Sequence, residues 1–204
     1  MTAGIELLAA EGHADRQFAL AREHWASVRH LWLDTREPLR AARLGDDIVP
    51  DFWWGAGLPG LANIKLTTGG KFEFAEDGKA ALIVPAYDTI PGNLDANPER
   101  HVEHLIDLVA VDVDQPARFR RRRGEALVLG NAFLEIAGQE CAPVPVFKNP
   151  LTWLRAGGAG IVVLDWDYAR DLLLDHELIA EDLDLGAALE GALKPDIWVR
   201  GAAA

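Results

Sequence analysis

From Val144 to the end of the chain, short apolar runs alternate with short segments of helical periodicity. The runs predict buried strands at residues 144–147, 160–164, 177–180 and 197–199. The segments between them predict helices at residues 150–156, 167–174 and 185–193. Because strands that alternate with helices pair in parallel through right-handed crossovers, this part of the chain is predicted to form a βαβαβαβ parallel-sheet unit.

The preceding region has an α+β pattern. Apolar residues at spacings of three and four predict a helix over 18–33, and residues 39–44 and 125–137 predict two more. A hairpin is predicted from strands 71–74 and 80–85, with Glu76-Asp77-Gly78 at its turn. The remaining predictions are an ordered loop over 45–63, a mobile loop over 91–98 and a buried strand over 105–113. We therefore expect an α/β protein whose regions 1–122 and 123–204 pack as one compact unit.

Composition and charge exclude several classes of protein. The chain has 20 Lys and Arg against 32 Asp and Glu, a net charge of −12, which argues against a protein that coats nucleic acid generally. The lone Cys141 and the scattered histidines give neither an internal disulfide nor a zinc-site spacing.

The start lacks a signal-peptide pattern and no run is long enough to span a membrane, so a cytoplasmic location is expected. Gly69-Gly70-Lys71 lacks the rest of a phosphate-binding loop, so any ATP-driven motor would be another chain.

Charged residues follow the predicted strands of the C-terminal unit. They are Lys148, Asp165, Asp167, Glu181, Asp182 and Asp184. Ligands of a parallel sheet bind beyond the carboxyl ends of its strands, and clustered carboxylates suit Mg²⁺, so Asp182, Asp184 and Asp165 are predicted as metal ligands. The competing interpretation is helix capping, which favours acidic residues at the same positions. Asp112-Val113-Asp114 has the same spacing with no clear helix behind it.

The segment Leu178-Ile-Ala-Glu-Asp-Leu-Asp-Leu-Gly-Ala-Ala-Leu189 resembles the strand, Asp-x-Asp and helix of a toprim domain, the metal-carboxylate module of primases and topoisomerases. Residues 144–154 are similar to the first toprim strand and helix, and residues 123–130 to the segment before toprim in phage and plasmid primase-type proteins. The resemblance covers about residues 123–200. It implies that Asp182 and Asp184 hold Mg²⁺ for phosphoryl or nucleotidyl transfer. The family's Glu-Gly is Lys148-Asn149 here, so Lys148 stands in place of the proposed general acid/base.

A second feature is a run of five arginines around a phenylalanine, Arg118-Phe-Arg-Arg-Arg-Arg123. The residues concerned are Arg118, Arg120, Arg121, Arg122 and Arg123. Guanidinium groups match phosphate oxygens, and an interleaved aromatic ring can stack on an unpaired base, so this run is predicted to bind single-stranded nucleic acid. The alternative is a solvated face whose arginines pair with surface carboxylates.

Three functional hypotheses follow from these patterns. The first is a primase-like, toprim-related protein of a mobile element that handles nucleic acid, with Lys148 favouring an accessory role beside a separate helicase or polymerase. The second is a non-enzymatic interaction or regulatory protein with an acidic surface, which would dock through Trp53 or Trp54, because adjacent residues of an extended segment face opposite ways. The third is an unrelated small-molecule enzyme that uses the same strand-end carboxylates.

Overall fold

The computed structural model describes residues 16, 19–30, 59–91 and 101–194, which form a mixed α/β structure with two sheets. All strand pairs of the first sheet are antiparallel. Its strands are β1 (Arg29–His30), β2 (Gly60–Leu66), β3 (Phe72–Phe74), β4 (Lys79–Pro91), β5 (His101–Val111) and β6 (Phe119–Arg121). Their order is β1-β2-β4-β5-β6, and β3 pairs with β2. Among the described residues, no helix is long and apolar enough to cross a membrane.

The second sheet lies in the C-terminal half. Its strands are β7 (Val128–Leu129), β8 (Val144–Phe147), β9 (Ile161–Val163) and β10 (Leu178–Ala180), in the order β10-β8-β9-β7. Strand β8 is parallel to both β9 and β10, whereas β7 is antiparallel to β9. The helices are α1 (Asn131–Glu140), α2 (Pro150–Arg155), α3 (Trp166–Leu173) and α4 (Leu183–Leu193).

The mixed α/β class agrees with the prediction, but the wholly parallel βαβαβαβ unit is not confirmed. Strand β7 makes the second sheet mixed, and the predicted strand 197–199 lies outside the described residues. The predicted strand at 144–147 is confirmed, and the helix predicted at 150–156 agrees with α2 to within one residue. Asn149 caps α2 by accepting the N–H groups of Leu151 and Thr152, and Pro150 suits its first turn.

The strands predicted at 71–74 and 80–85 correspond to β3 and β4, and a turn is present between them, where Gly78 N–H donates to the Ala75 carbonyl at 2.9 Å. The two strands do not pair with each other, so the predicted hairpin is wrong. Strands β3 and β4 both pair with β2, and the hairpin is the one between β2 and β3, closed where Thr67 N–H donates to the Lys71 carbonyl. Gly69 and Gly70 have φ of +85° and +76°, the left-handed region that glycine adopts at no steric cost. Residues Asp77 and Gly78 instead lead from β3 to β4, which pair with the two opposite edges of β2. A Cβ on Gly78 would lie 2.4 Å from the Ile64 carbonyl oxygen.

Three other predicted elements differ from the structure. The helix predicted over 125–137 is replaced by β7 and α1, which are separated by Gly130 at φ +79°. Its apolar start is equally compatible with a buried strand, which periodicity over so short a run does not distinguish from a helix. The predicted N-terminal helix is helical over 19–27, and the chain then pairs with β2 through β1. Part of the predicted loop 45–63 belongs to β2.

Several predictions fall on residues outside the described part of the chain. They concern the short helix 39–44, the loop beyond Pro91, the strand 197–199 and the partner-binding residues Trp53 and Trp54. These remain predictions.

The core consists of layers on both faces of the first sheet. One cluster lies between the sheets and joins Val109 and Val111 of β5 to Leu129, Trp153 and Val162 of the second unit. A second cluster packs Leu20 of the N-terminal helical segment against the opposite face of the first sheet. A third covers the second sheet with α3 and α4 through Leu173 and Leu185. The first sheet is thus packed on both faces, and the arginine strand β6 lies at its edge.

Candidate functional site

A buried carboxylate determines the path of the chain after the arginine run. Asp107 of β5 is 0% exposed, and among the described residues all its donors are backbone N–H groups. Its Oδ1 accepts from Leu108 and Arg123, both at 2.8 Å, and its Oδ2 accepts from residues 124–126 at 2.8, 2.8 and 3.3 Å. Gly124 supplies the positive φ, +82°, that this turn requires. Asp107 therefore fixes the turn between β6 and the second sheet.

Three of the five arginines are committed to internal contacts. Arg121 Nη2 lies 2.6 Å from Asp165 Oδ2 and its Nη1 donates to the Ala126 carbonyl at 2.8 Å, which links β6 to the second unit. Arg122 donates from Nε and Nη2 to Glu23 Oε1 at 3.0 and 2.8 Å, which links β6 to the N-terminal helical segment. Arg123 Nη2 donates to the carbonyl of residue 16. These three side chains bind other parts of the same chain. For them, the contacts favour pairing within the protein over binding of nucleic acid.

Arg118 and Arg120 differ from the other three. Both are exposed, and within the described part of the chain neither forms an ion pair; Arg120 donates only to the carbonyl of its neighbour Phe119. Together with Lys79 they line a groove beside β2, β4 and β5. Lys79 Nζ pairs with Asp112 Oδ2 at 2.6 Å, and this hydrogen bond lowers the pKa of Asp112 below its ordinary value. Lys79 and Asp112 offset one another, so two uncompensated positive charges remain at the groove.

The register of β6 explains why the arginines separate. Phe119 lies opposite Val111 and Arg121 opposite Val109, and both valines belong to the core between the sheets. Arg120 lies opposite Ala110 and faces the other way, because side chains alternate along a strand. Phe119 is partly buried against the core cluster, and its stacking on a base stays a prediction.

The strand-end residues lie where neighbouring parallel strands end. Strands β8 and β10 are paired, and Lys148 Nζ lies 2.9 Å from Asp182 Oδ2, so the predicted proximity of these two residues is confirmed. Asp182 Oδ1 also accepts the N–H of Leu185 at 2.9 Å and caps α4. That cap, followed by Lys148, lowers the pKa of Asp182. The hydrogen bond and charge of Asp182 raise the pKa of Lys148.

Glu181 completes this cluster. Its Oε2 accepts the backbone N–H of Lys148 at 2.9 Å and the Thr152 hydroxyl at 3.1 Å. Lys148, Thr152, Glu181 and Asp182 are thus satisfied by one another, and we call them the strand-end cluster. The carboxylates here act as acceptors for this chain's own donors, which agrees with the capping interpretation for Asp182.

The predicted magnesium ligands have separate surroundings. Asp182 contacts Lys148, Asp165 contacts Arg121, and Asp184 is exposed in the first turn of α4. Asp165 is the N-cap residue of α3, two residues before the predicted start of this helix, but its side chain forms no capping hydrogen bond. Within the described ranges no group of three or more His, Cys, Asp or Glu side chains is positioned to hold a metal ion. The arrangement therefore does not fit Mg²⁺ as it stands, and Lys148 would have to leave Asp182 for the ion to bind there.

Three features were missed by reasoning from sequence. Asp107 interrupts an apolar strand run, and a lone charge in such a run signals a buried acceptor. Tyr168 and Leu183, at the starts of α3 and α4, are 72% and 92% exposed, and nothing in the sequence pattern marked them as exposed. The groove depends on Leu66 and Lys79, which are 13 residues apart and carry no joint sequence signal.

Comparisons with family models, with curated proteins and with solved structures found no match to this chain.

Proposed function

We propose that this chain is a primase-like, toprim-related protein of a mobile element that binds single-stranded nucleic acid in the cytoplasm. The main support is the position of Arg118 and Arg120 beside Lys79, with neither arginine in an ion pair among the described residues. Guanidinium groups bind phosphate oxygens in a bidentate manner. The chain as a whole carries −12, so a local excess of positive charge marks where a polyanion is accepted.

An accessory role is favoured over catalysis at the strand-end cluster. Lys148 replaces the glutamate that the toprim resemblance calls for, and its ammonium group contacts Asp182 at 2.9 Å. A lysine whose pKa is raised stays protonated at neutral pH and cannot act as a general base there. We therefore infer that the chain works beside a separate helicase or polymerase, and we derive no chemical step at Asp182 or Asp184.

The proposal is tested by binding of a labelled single-stranded oligonucleotide, measured by fluorescence anisotropy. The variant Arg118→Ala/Arg120→Ala removes the two uncompensated charges, and Arg155→Ala/Lys194→Ala removes the same charge elsewhere as a matched control. We expect about a tenfold or larger loss of affinity in the first variant and a small change in the control. Equal losses of affinity in both variants would show that binding depends on overall charge and not on these two arginines. No binding by the wild type would refute the proposal.

A second candidate is a protein-interaction role, which Tyr168 and Leu183 favour. Both side chains are mostly exposed at the carboxyl edge of the second sheet, close in sequence to the acidic residues Asp165, Asp167, Glu181, Asp182 and Asp184. Exposed aromatic and aliphatic residues with acidic neighbours are the composition of a docking site for a basic partner. Tyr168→Ser/Leu183→Ser would weaken partner binding and leave oligonucleotide binding unchanged, which separates the two functions.

A further inference from the structure

The arginine groove has an apolar side that phosphate binding does not use. Its walls combine the cations Lys79, Arg118 and Arg120 with Ile64 and Leu66 of β2. Leu66 is 64% exposed, one of the larger apolar exposures in the described part of the chain. Ile64 and Leu66 are two residues apart, so they lie on the same face of β2. The groove therefore has the arginines at β6 at one side and the aliphatic residues of β2 at the other, with Lys79 of β4 paired in register with Ile64.

The groove is small. Its volume is about 230 Å³, below the roughly 300 to 1,000 Å³ of pockets that enclose drug-sized ligands. A group of the size of one planar base fits such a space, whereas a base pair within a duplex does not leave its stack to enter it. Duplex phosphates alone would contact the arginines and leave Leu66 in water.

The net positive charge of the groove lies on Arg118 and Arg120. Asp112 pairs with Lys79 at 2.6 Å, which places the one carboxylate of the groove against a cation and leaves Arg118 and Arg120 available to an anion. An arginine guanidinium is planar and weakly hydrated, so it binds a phosphate through its edge and also covers the face of a base. The aromatic residue of β6, Phe119, packs against the core between the sheets and does not line this groove.

We propose that this groove holds one unpaired nucleotide of a single strand, with the phosphate on Arg118 and Arg120 and the base against Leu66 and Ile64. This inference rests on the proposed function and adds to it that the ligand is unpaired and that its base is bound. Non-aromatic contacts of this kind do not distinguish one base from another, so binding is independent of sequence.

The experiment compares three ligands of equal length: a deoxythymidine oligonucleotide, the same strand in a duplex, and a strand with abasic sites throughout. They are titrated against the full chain, against Leu66→Ala and against Leu174→Ala, a control that truncates another half-exposed leucine. Because Leu66 is exposed, its truncation leaves the fold intact, which circular dichroism checks.

We expect the wild type to prefer the intact single strand over both the duplex and the abasic strand. Leu66→Ala should weaken binding of the intact strand about fivefold and leave binding of the abasic strand unchanged. Equal binding of intact and abasic strands by the wild type, or equal binding of duplex and single strand, would overturn the inference and leave the arginine contacts of the proposed function standing. If the wild type binds none of the three ligands, the proposed function fails first.

Discussion

The two charged regions of this molecule have opposite electrostatic character. In the strand-end cluster one lysine faces two carboxylates, and the chain's own donors occupy both: Asp182 accepts from Lys148 Nζ, and Glu181 accepts from Lys148 N–H and the Thr152 hydroxyl. In the arginine groove Lys79 is matched by Asp112, and Arg118 and Arg120 add charge without an acidic partner among the described residues. Carboxylates that are occupied by the chain's own donors stabilise local structure, whereas arginines without an acidic partner are available to an anionic ligand. The arginines are therefore better candidates for ligand binding than the carboxylates.

The largest expected effect tests how the arginine strand is held in place. Asp107→Asn replaces one carboxylate oxygen, which accepts backbone N–H groups, with an amide NH₂ group that only donates. The backbone N–H groups at that position then lose their acceptor. Leaving buried N–H groups unsatisfied costs about 1 to 3 kcal/mol each, so we expect a loss of at least about 3 kcal/mol in the free energy of unfolding. Urea denaturation measures it, with the exposed Asp171→Asn as control at less than about 0.5 kcal/mol. A tolerated Asp107→Asn would contradict its role as the acceptor for residues 123–126.

The next effect separates the two kinds of arginine directly. Arg121→Ala removes the contact with Asp165 and a hydrogen bond to Ala126, with both charged side chains about four-fifths buried. We expect a loss of about 2 kcal/mol in stability, against less than about 0.5 kcal/mol for Arg120→Ala. Chemical denaturation of both variants, with a double-mutant cycle through Asp165→Ala, measures the difference. Equal stability losses would remove the distinction between structural and ligand-binding arginines.

A smaller effect concerns magnesium at the strand-end cluster. If Mg²⁺ binds at Asp182, it must displace the Lys148 ammonium group, so Lys148→Gln should bind Mg²⁺ up to about fivefold more tightly than the wild type. Lys65→Gln, which breaks the exposed pair with Asp77, is the matched control and should have no effect. Calorimetry measures both. If Asp182→Asn does not change the binding, Asp182 is not a ligand.

The smallest effect is a pKa difference within the same cluster. In the wild type the Leu185 N–H and then Lys148 hold the Asp182 pKa below its ordinary value. The lowered pKa of Asp182 contributes its full stabilisation of the folded state at pH values above the ordinary pKa of an aspartate. That stabilisation is lost as the pH falls through the lowered pKa, near the acid end of the scale. NMR titration of the Asp182 carboxyl carbon should show a partial rise of the pKa in Lys148→Met, since the cap remains. A full return to the ordinary value would assign the whole effect to Lys148.

The sequence predicted those elements that local signals determine. Strand β8 and helix α2 follow from alternating valines and from Asn149-Pro150, which specify a cap and a first turn regardless of the rest of the chain. The proximity of Lys148 and Asp182 follows from parallel pairing, because neighbouring strands then end at one edge. Of the helix predicted over 125–137, residues 131–137 are helical in α1; the first part differs, because Gly130 has φ +79° and closely approaches the Gly160 carbonyl, a contact that depends on the tertiary structure.

The candidate site was predicted as one run of five arginines, and the structure divides it. Which arginine faces inward depends on the register of β6 against β5, and register is a property of two strands. The partners of Arg121 and Arg122, Asp165 and Glu23, lie 44 and 99 residues away in the sequence. The role of Asp107 likewise depends on a turn 16 to 19 residues further along the chain.

The central claim is that Arg118 and Arg120 bind the phosphates of a single strand. The direct measurement is the salt dependence of oligonucleotide affinity for the wild type and for Arg118→Ala/Arg120→Ala. Each phosphate neutralised on a single strand contributes about 0.7 to the slope of log affinity against log salt concentration, so the double variant, which loses the one phosphate held by both arginines, should have a slope shallower by about 0.7. Identical slopes for the two proteins would contradict the claim.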